Sequence, residues 1–243
     1  MTLKDRMESS GAWLFRWRSY LPVLVFPFLL PAVAGYRIPF GNADIAWIWD
    51  AFCVAVALCG FGVRVVTVGQ TPRGTSGRNT RRQKADTLNT TGIYSLVRNP
   101  LYLGNFLIGL GVSMFPFSLY PPILYALFFQ IYYERIVMAE EKFLRERFGR
   151  GYDEWTAKTP AFVPNWKNYS RSSVPFSWKK VLRREYTSLL GVALAMTGLE
   201  VATDFSLDPT EFELDPAWAV FLGVSVVAWA VLRFLKKHTD ILR

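Results

Sequence analysis

The chain has a single histidine, His238, close to its last residue, and only two cysteines, Cys53 and Cys59. One imidazole cannot build a Cys/His metal centre or a histidine-based catalytic triad. The cysteines stand six positions apart, off any common helix face, and read as core residues; neither a disulfide nor a metal pair is expected. A Walker phosphate loop, an HExxH pair, an internal repeat and a low-complexity tract are all missing as well. Acidic residues are scarce beside basic ones, 19 Asp and Glu against 28 Lys and Arg, for a net charge of +9.

Apolar residues are plentiful, and they lie in long runs. Hydrophobic residues make up 51% of the chain and aromatics 16%. A span of about 20 apolar residues is needed to cross a hydrocarbon core roughly 30 Å thick. Six stretches qualify as candidates: 20–36, 45–68, 101–117, 119–138, 186–203 and 217–235. The first is read as a span and not as a signal peptide, although Ala32-Val33-Ala34 resembles a cleavage site, because nineteen residues precede it. The expected fold is all-α: a polytopic helical membrane protein of about six transmembrane helices with a cytoplasmic cap.

The basic residues set the expected topology, because Lys and Arg near span ends stay on the cytoplasmic side. Four precede the first span, six lie in 70–99, eleven in 139–186 and four in the last eleven residues. The intervening loops hold Arg37 or acids only. Both termini and two large loops are therefore expected in the cytoplasm, in a multi-pass membrane protein. Anionic lipid headgroups are the natural partner of this charge. Nucleic acid is not, since the basic residues flank spans and form no single patch, and no obligatory protein partner is implied.

The chain reads as one integral-membrane domain, 1–243, with cytoplasmic loops at 70–100 and 139–185 and a two-helix extension at 186–243. The first loop opens TPRGTSGRNTRRQ, whose backbone amides and guanidinium groups suit a phosphate or carboxylate. The second continues the fourth span as a helix through AEEKFLRERF, with Gly149 and Gly151 as a stop and the helix lying along the membrane surface. The prolines of TPAFVPN cannot continue a helix, and they let the chain fold back over something. Pro100 suits the first turn of the third span, where its missing N–H costs nothing. Spans three and four, joined through Phe115-Pro116 and Pro121-Pro122, form a hairpin.

This hairpin collects Tyr94, Arg98, Tyr102, Glu134, Arg135, Glu140 and Glu141 at one depth. Ionisable groups so near a bilayer pair with one another or serve a site. Glu140 and Glu141 point about 100° apart on a helix, so one can reach inward while the other stays in water. Gly109 and Gly111 let a neighbouring helix or a flat ligand approach closely.

Residues 88–164 resemble the integral-membrane methyltransferases that include the isoprenylcysteine carboxyl methyltransferases and the phospholipid N-methyltransferases. The resemblance runs in order through Gly92 and Tyr94; Arg98, Pro100 and Tyr102; Glu140 and Glu141; Phe148, Gly149 and Tyr152; and Thr159, Pro160 and Pro164. It implies that the cap binds S-adenosylmethionine, with Tyr94, Asn99, Pro100, Tyr102, Gly109, Gly111, Glu140 and Glu141 at the cofactor. Arg98, Arg135 and Glu141 become the expected catalytic residues. The family's usual histidine is Asn99 here, which can hydrogen-bond but cannot carry a proton.

Methyl transfer from a sulfonium is an in-line displacement whose thioether leaving group needs no acid. An acceptor that is already an anion needs no base. A site without histidine therefore suits a phosphate or carboxylate oxygen of a membrane lipid better than an ammonium. Arg78, Arg81 and Arg82 are the expected substrate residues and favour a lipid phosphate, such as that of lipid A, which a bacterial branch of the wider family methylates. A prenylated cysteine carboxylate is the alternative, followed by phosphatidylethanolamine. Two other classes compete: the membrane sterol reductases that use a reduced nicotinamide phosphate, and a structural or lipid-binding subunit with interfacial tyrosines.

Overall fold

A computed structural model describes residues 3–18, 27–72, 85–210 and 214–242. The described residues are almost all helical and contain no named strand, only an isolated antiparallel bridge between Gly92 and Ser170. Nine α-helices follow in chain order: α1 (Leu3–Trp17), α2 (Leu30–Ala34), α3 (Ala43–Gln70), α4 (Ile93–Leu96), α5 (Pro100–Met114), α6 (Tyr120–Phe148), α7 (Arg150–Lys158), α8 (Trp178–Leu207) and α9 (Pro216–His238). Local chemistry sets several of their ends. Pro100 opens α5 and Pro216 opens α9, where the Asp215 side chain accepts the Ala217 N–H at 2.7 Å. Ser177 caps α8 through the Lys180 N–H. Gly149 stops α6 by adopting a positive φ of 54°, and α7 begins beside it.

Among the described residues three helices, α3, α8 and α9, are long and apolar enough to cross a membrane. Two of the six stretches expected as spans fall short of that length or apolarity. At 15 residues α5 is about 22 Å long, short of the ~30 Å core. The 29 residues of α6 are long enough, but tyrosines and the Glu134–Arg135 pair interrupt its apolar run. Of the stretch expected as the first span, 20–36, residues 20–26 lie outside the described residues; of its described part, Leu30–Ala34 is α-helical.

The chain divides into two compact units. One comprises Met1–Leu24, Val66–Leu103 and Leu127–Phe176. Within it α1 lies on α6: Gly11 meets the Arg135 carbonyl where any side chain would collide, and the Tyr132 hydroxyl donates to the Leu14 carbonyl at 3.3 Å. The second unit comprises Val25–Val65, Gly104–Ala126 and Ser177–Arg243. Its core joins Leu29, Val33, Cys53, Ala57, Val112, Phe115, Val192, Met196 and Leu199. Gly60 and Gly104 bring α3 and α5 into backbone contact, since a Cβ at Gly60 would sit 2.6 Å from the Gly104 carbonyl oxygen. Cys53 is in this core, whereas Cys59 is exposed and not the core residue expected. Outward-facing Val220, Val224, Val227 and Val231 leave α9 an apolar stripe that a lipid environment covers.

The second unit also holds a polar network that the sequence did not signal. Arg64 of α3 meets Glu185 of α8 as a fork, Nε to Oε2 at 2.9 Å and Nη2 to Oε1 at 3.0 Å. It donates as well to Asn105 of α5 and to the Ser188 hydroxyl. Glu185 is 3% exposed. A lone arginine inside an apolar helix needs such a partner.

Candidate functional site

The stretch from Thr91 to Asn105 is shaped by one glycine. Gly92 has φ 62°, and a Cβ there would lie 2.6 Å from Gln70 Oε1 and 3.0 Å from Ser172 Cβ, so no other residue fits without displacement. The single turn of α4 follows, then extended Val97, then Pro100 and α5.

The proline-bearing segment after α7 does fold back, and it is laced onto this stretch. The Arg98 N–H donates to the Pro160 carbonyl at 2.9 Å, and the Asn165 N–H to the Leu96 carbonyl at 2.9 Å. The Trp155 indole N–H donates to the Tyr94 carbonyl at 3.1 Å, and the Gly92 N–H to the Ser170 carbonyl at 2.9 Å. Tyr152 lies buried within this lacing, edge-on to Trp155. Burial, reinforced by the Glu141 charge and opposed by Arg98, pushes its hydroxyl up to about 12.

The glutamate pair sits on the last turns of α6, and both side chains are engaged. Glu140 accepts from the Tyr102 hydroxyl at 2.8 Å and pairs with Arg18 at 3.4 Å. Glu141 Oε1 lies 2.7 Å from Arg98 Nη1. The expectation that one of the two stays in water is therefore corrected: each is a quarter exposed and each faces a basic partner. Burial raises the Glu140 carboxyl above its ordinary value, Arg18 and Tyr102 pull it down, and Glu141 adds to the rise. The Tyr102 ring packs tilted against Tyr133, centroids 4.6 Å apart, beside its hydrogen bond to Glu140.

The Arg98–Glu141 contact is short but poorly directed. Arg98 Nε and Glu141 Oε1 are both buried without a hydrogen-bond partner among the described residues. Buried polar atoms are paired in the great majority of cases, so these two incompletely bonded atoms make the pair a candidate ligand site.

Other expected residues are placed differently. Asn99 spends its side-chain N–H on the Ala161 carbonyl at 3.2 Å, which ties down the return segment; that N–H is not held for a ligand. Gly109 accommodates the Tyr125 ring, and a Cβ at Gly111 would meet the Cys53 carbonyl oxygen at 2.5 Å, so both serve helix packing. Pro100 is buried at the start of α5. Arg135 is half-buried and Glu134 exposed, and neither forms an ion pair with another described residue. Arg78, Arg81 and Arg82 lie outside the described residues. Sequence reasoning missed Arg18, which reaches Glu140 across 122 positions with no periodic signal to announce it.

Comparison with known proteins adds to this geometry. Residues 51–151 match the phospholipid methyltransferase family. The chain is 27% identical over 165 residues to the nickel-cobalt-cadmium resistance protein NccN of Alcaligenes xylosoxydans xylosoxydans, a match covering 67% of this chain and 77% of that protein. It is 33% identical over 125 residues to the cobalt-zinc-cadmium resistance protein CzcN of Cupriavidus metallidurans, covering 51% and 57%. Over 84 residues it is 32% identical to the protein-S-isoprenylcysteine O-methyltransferase of Schizosaccharomyces pombe, covering 35% and 36%. The chain thus spans under two thirds of the second and third relatives. No solved structure matches. The metals named for the resistance proteins find no counterpart here: among the described residues no group of three or more His, Cys, Asp or Glu side chains is placed to hold an ion.

Proposed function

We propose, from the premise that the chain belongs through residues 51–151 to the phospholipid methyltransferase family of membrane proteins, that it transfers a methyl group from S-adenosylmethionine to an anionic oxygen of a membrane lipid. The observation that carries this reading is the orphaned Arg98–Glu141 pair beside the engaged Glu140. The donor set fits that cofactor: carboxylates suit its ammonium and ribose hydroxyls, and a guanidinium suits its carboxylate. When bound, the cofactor supplies an electrophilic methyl group on a positively charged sulfur.

The chain's own residues then position and shield. Glu140 and Glu141 hold cationic and hydroxyl groups, Arg98 holds a carboxylate or the anionic acceptor, and the Tyr102–Tyr133 ring pair walls the site. The return segment laced over Gly92–Asn99 excludes water, which strengthens each charge contact. A proton acceptor working near neutrality is not part of this set. Tyr152 is held protonated, and Asn99, whose side-chain N–H donates to Ala161, cannot carry a proton. An acceptor that arrives as an anion needs none.

A lipid phosphate is the preferred acceptor because Arg78, Arg81 and Arg82 crowd the loop before Gly92, with a prenylated cysteine carboxylate second. The distribution of Lys and Arg supports a site at the cytoplasmic face, and we read the membrane as a bacterial inner membrane. The test is to incubate the protein in detergent with labelled S-adenosylmethionine and three acceptors: a phosphorylated lipid, a prenylcysteine and phosphatidylethanolamine. Label on the phosphorylated lipid, lost in the Arg78→Gln, Arg81→Gln, Arg82→Gln variant with cofactor binding intact, is the expected result. Label on phosphatidylethanolamine alone contradicts the anionic acceptor.

A further inference from the structure

Arg18 lies outside the segment that matches the family, yet it is built into the site. Three contacts hold the residues that lead to it. Gly11 allows α1 to close against the Arg135 carbonyl and the Ala139 side chain. The Leu14 carbonyl accepts from Tyr132, and Phe15 is 7% exposed beneath the Arg18 guanidinium, whose carbon stands 4.0 Å from the ring centroid. Cation–π contact of this kind fixes a long side chain that otherwise samples many rotamers. From there Nη1 reaches Glu140 Oε1 at 3.4 Å.

That oxygen already accepts from Tyr102 at 2.8 Å. Two donors on one carboxylate oxygen orient the group. The second oxygen, Oε2, receives no hydrogen bond or ion pair among the described residues. A carboxylate arranged in this way is fixed on one side and offered on the other, the form needed to take a cationic ligand group without first breaking its own contacts.

We propose that Arg18 is a positioning residue of the cofactor site: it is the counter-charge that holds Glu140 as an oriented anion, so that Oε2 receives the ammonium of S-adenosylmethionine. The role of Glu140 in this statement rests on the methyltransferase reading; the pairing of Arg18 with Glu140 does not. The charged or titratable groups that face Glu140 among the described residues enter the balance. Tyr102 comes from α5, Arg18 from the end of α1, and Glu141 and Tyr133 from α6 itself. Arg18 is the cation among them, set against a neighbouring carboxylate and burial, both of which favour protonation. Without it the carboxyl takes up its proton at higher pH, and a neutral carboxyl binds an ammonium poorly.

Two readouts test this. The first needs no ligand: the Glu140 carboxyl is titrated by infrared difference spectroscopy, its band assigned as the signal lost in Glu140→Gln. Arg18→Gln is expected to raise the titration midpoint by about one pH unit or more, and Arg18→Lys to restore most of the shift, since an opposite charge moves a carboxyl by roughly 1–3 units. A wild-type midpoint in Arg18→Gln overturns the inference, and so does an Arg18→Lys midpoint no different from that of Arg18→Gln. The second readout is calorimetric S-adenosylmethionine affinity across pH. It should fall as pH drops through the Glu140 midpoint, with the fall displaced upward in Arg18→Gln. Wild-type protein that binds no cofactor while the infrared shift persists removes the methyltransferase reading, and with it the cofactor role given to Arg18, but leaves the counter-charge pairing in place.

Discussion

Arg64 with Glu185, and Arg98 with Glu141, are the same chemical pair in two states of completion. In the first, both guanidinium edges are used: two parallel contacts to the carboxylate, one to Asn105 and one to Ser188. In the second, one guanidinium nitrogen lies 2.7 Å from one carboxylate oxygen and Tyr152 is a further partner of Arg98, while Arg98 Nε and Glu141 Oε1 go without hydrogen-bond partners. A pair that satisfies itself has nothing left to offer a ligand and serves the fold. A pair left incomplete in a buried setting holds a geometry that is costly in isolation and useful only when something completes it. Satisfaction of hydrogen bonds, more than the presence of charge, separates the two roles.

The comparison is broken or sharpened first at Glu185. Glu185→Ala strands Arg64 inside the second unit, and removal of one partner of a buried pair costs about 3–5 kcal/mol. Thermal unfolding in detergent should show a large drop in midpoint, with much of it recovered in an Arg64→Leu, Glu185→Leu double variant. An unfolding midpoint equal to wild type would show that the network is ornamental. Arg98→Ala and Glu141→Ala should do the opposite: a midpoint close to wild type, with methyl transfer reduced by about 100-fold, the scale seen when one preorganised electrostatic contact is removed. Loss of stability in step with activity would make this pair structural too.

Gly92→Ala comes next. It combines a positive φ with contacts at 2.6 and 3.0 Å to Gln70 and Ser172, for a cost of about 1–3 kcal/mol. The expected sign is earlier proteolysis of the lacing between Gly92 and Ser170, followed by limited digestion and mass spectrometry. The smallest effect belongs to Tyr102→Phe, which removes one hydrogen bond from Glu140 and should weaken cofactor affinity about five-fold, near 1 kcal/mol.

Much of this arrangement was legible in the sequence where the signal is local. Pro100 announced the start of α5, Gly149 the end of α6, and the prolines after Thr159 a segment that turns back. The Glu140–Glu141 pair stood out through the resemblance to the membrane methyltransferases, whereas as a helix-end charge pair alone it would pass unnoticed. What stayed hidden depends on long-range pairing. Arg64 and Glu185 are 121 positions apart, and Arg18 and Glu140 are 122 apart; nothing in either neighbourhood names its partner. Asn99 misled for a related reason: a side chain at a motif position was expected to face a ligand, yet its amide is taken by the Ala161 carbonyl of the returning chain. Gly109 and Gly111 offered two readings, and helix packing filled the space at both. Span counting is least supported at α6, where tyrosines serve the contacts near Tyr102 and Leu14 at the expense of apolar character.

The central claim is that the incomplete pair on α6 belongs to a cofactor site. It is tested most directly by titrating S-adenosylmethionine into the purified protein and into its Glu141→Ala variant by calorimetry, after equal unfolding midpoints have been confirmed. Saturable binding to the wild type, lost in a variant that remains folded, is the predicted result. Equal binding by both proteins, or none by the folded wild type, would contradict the account.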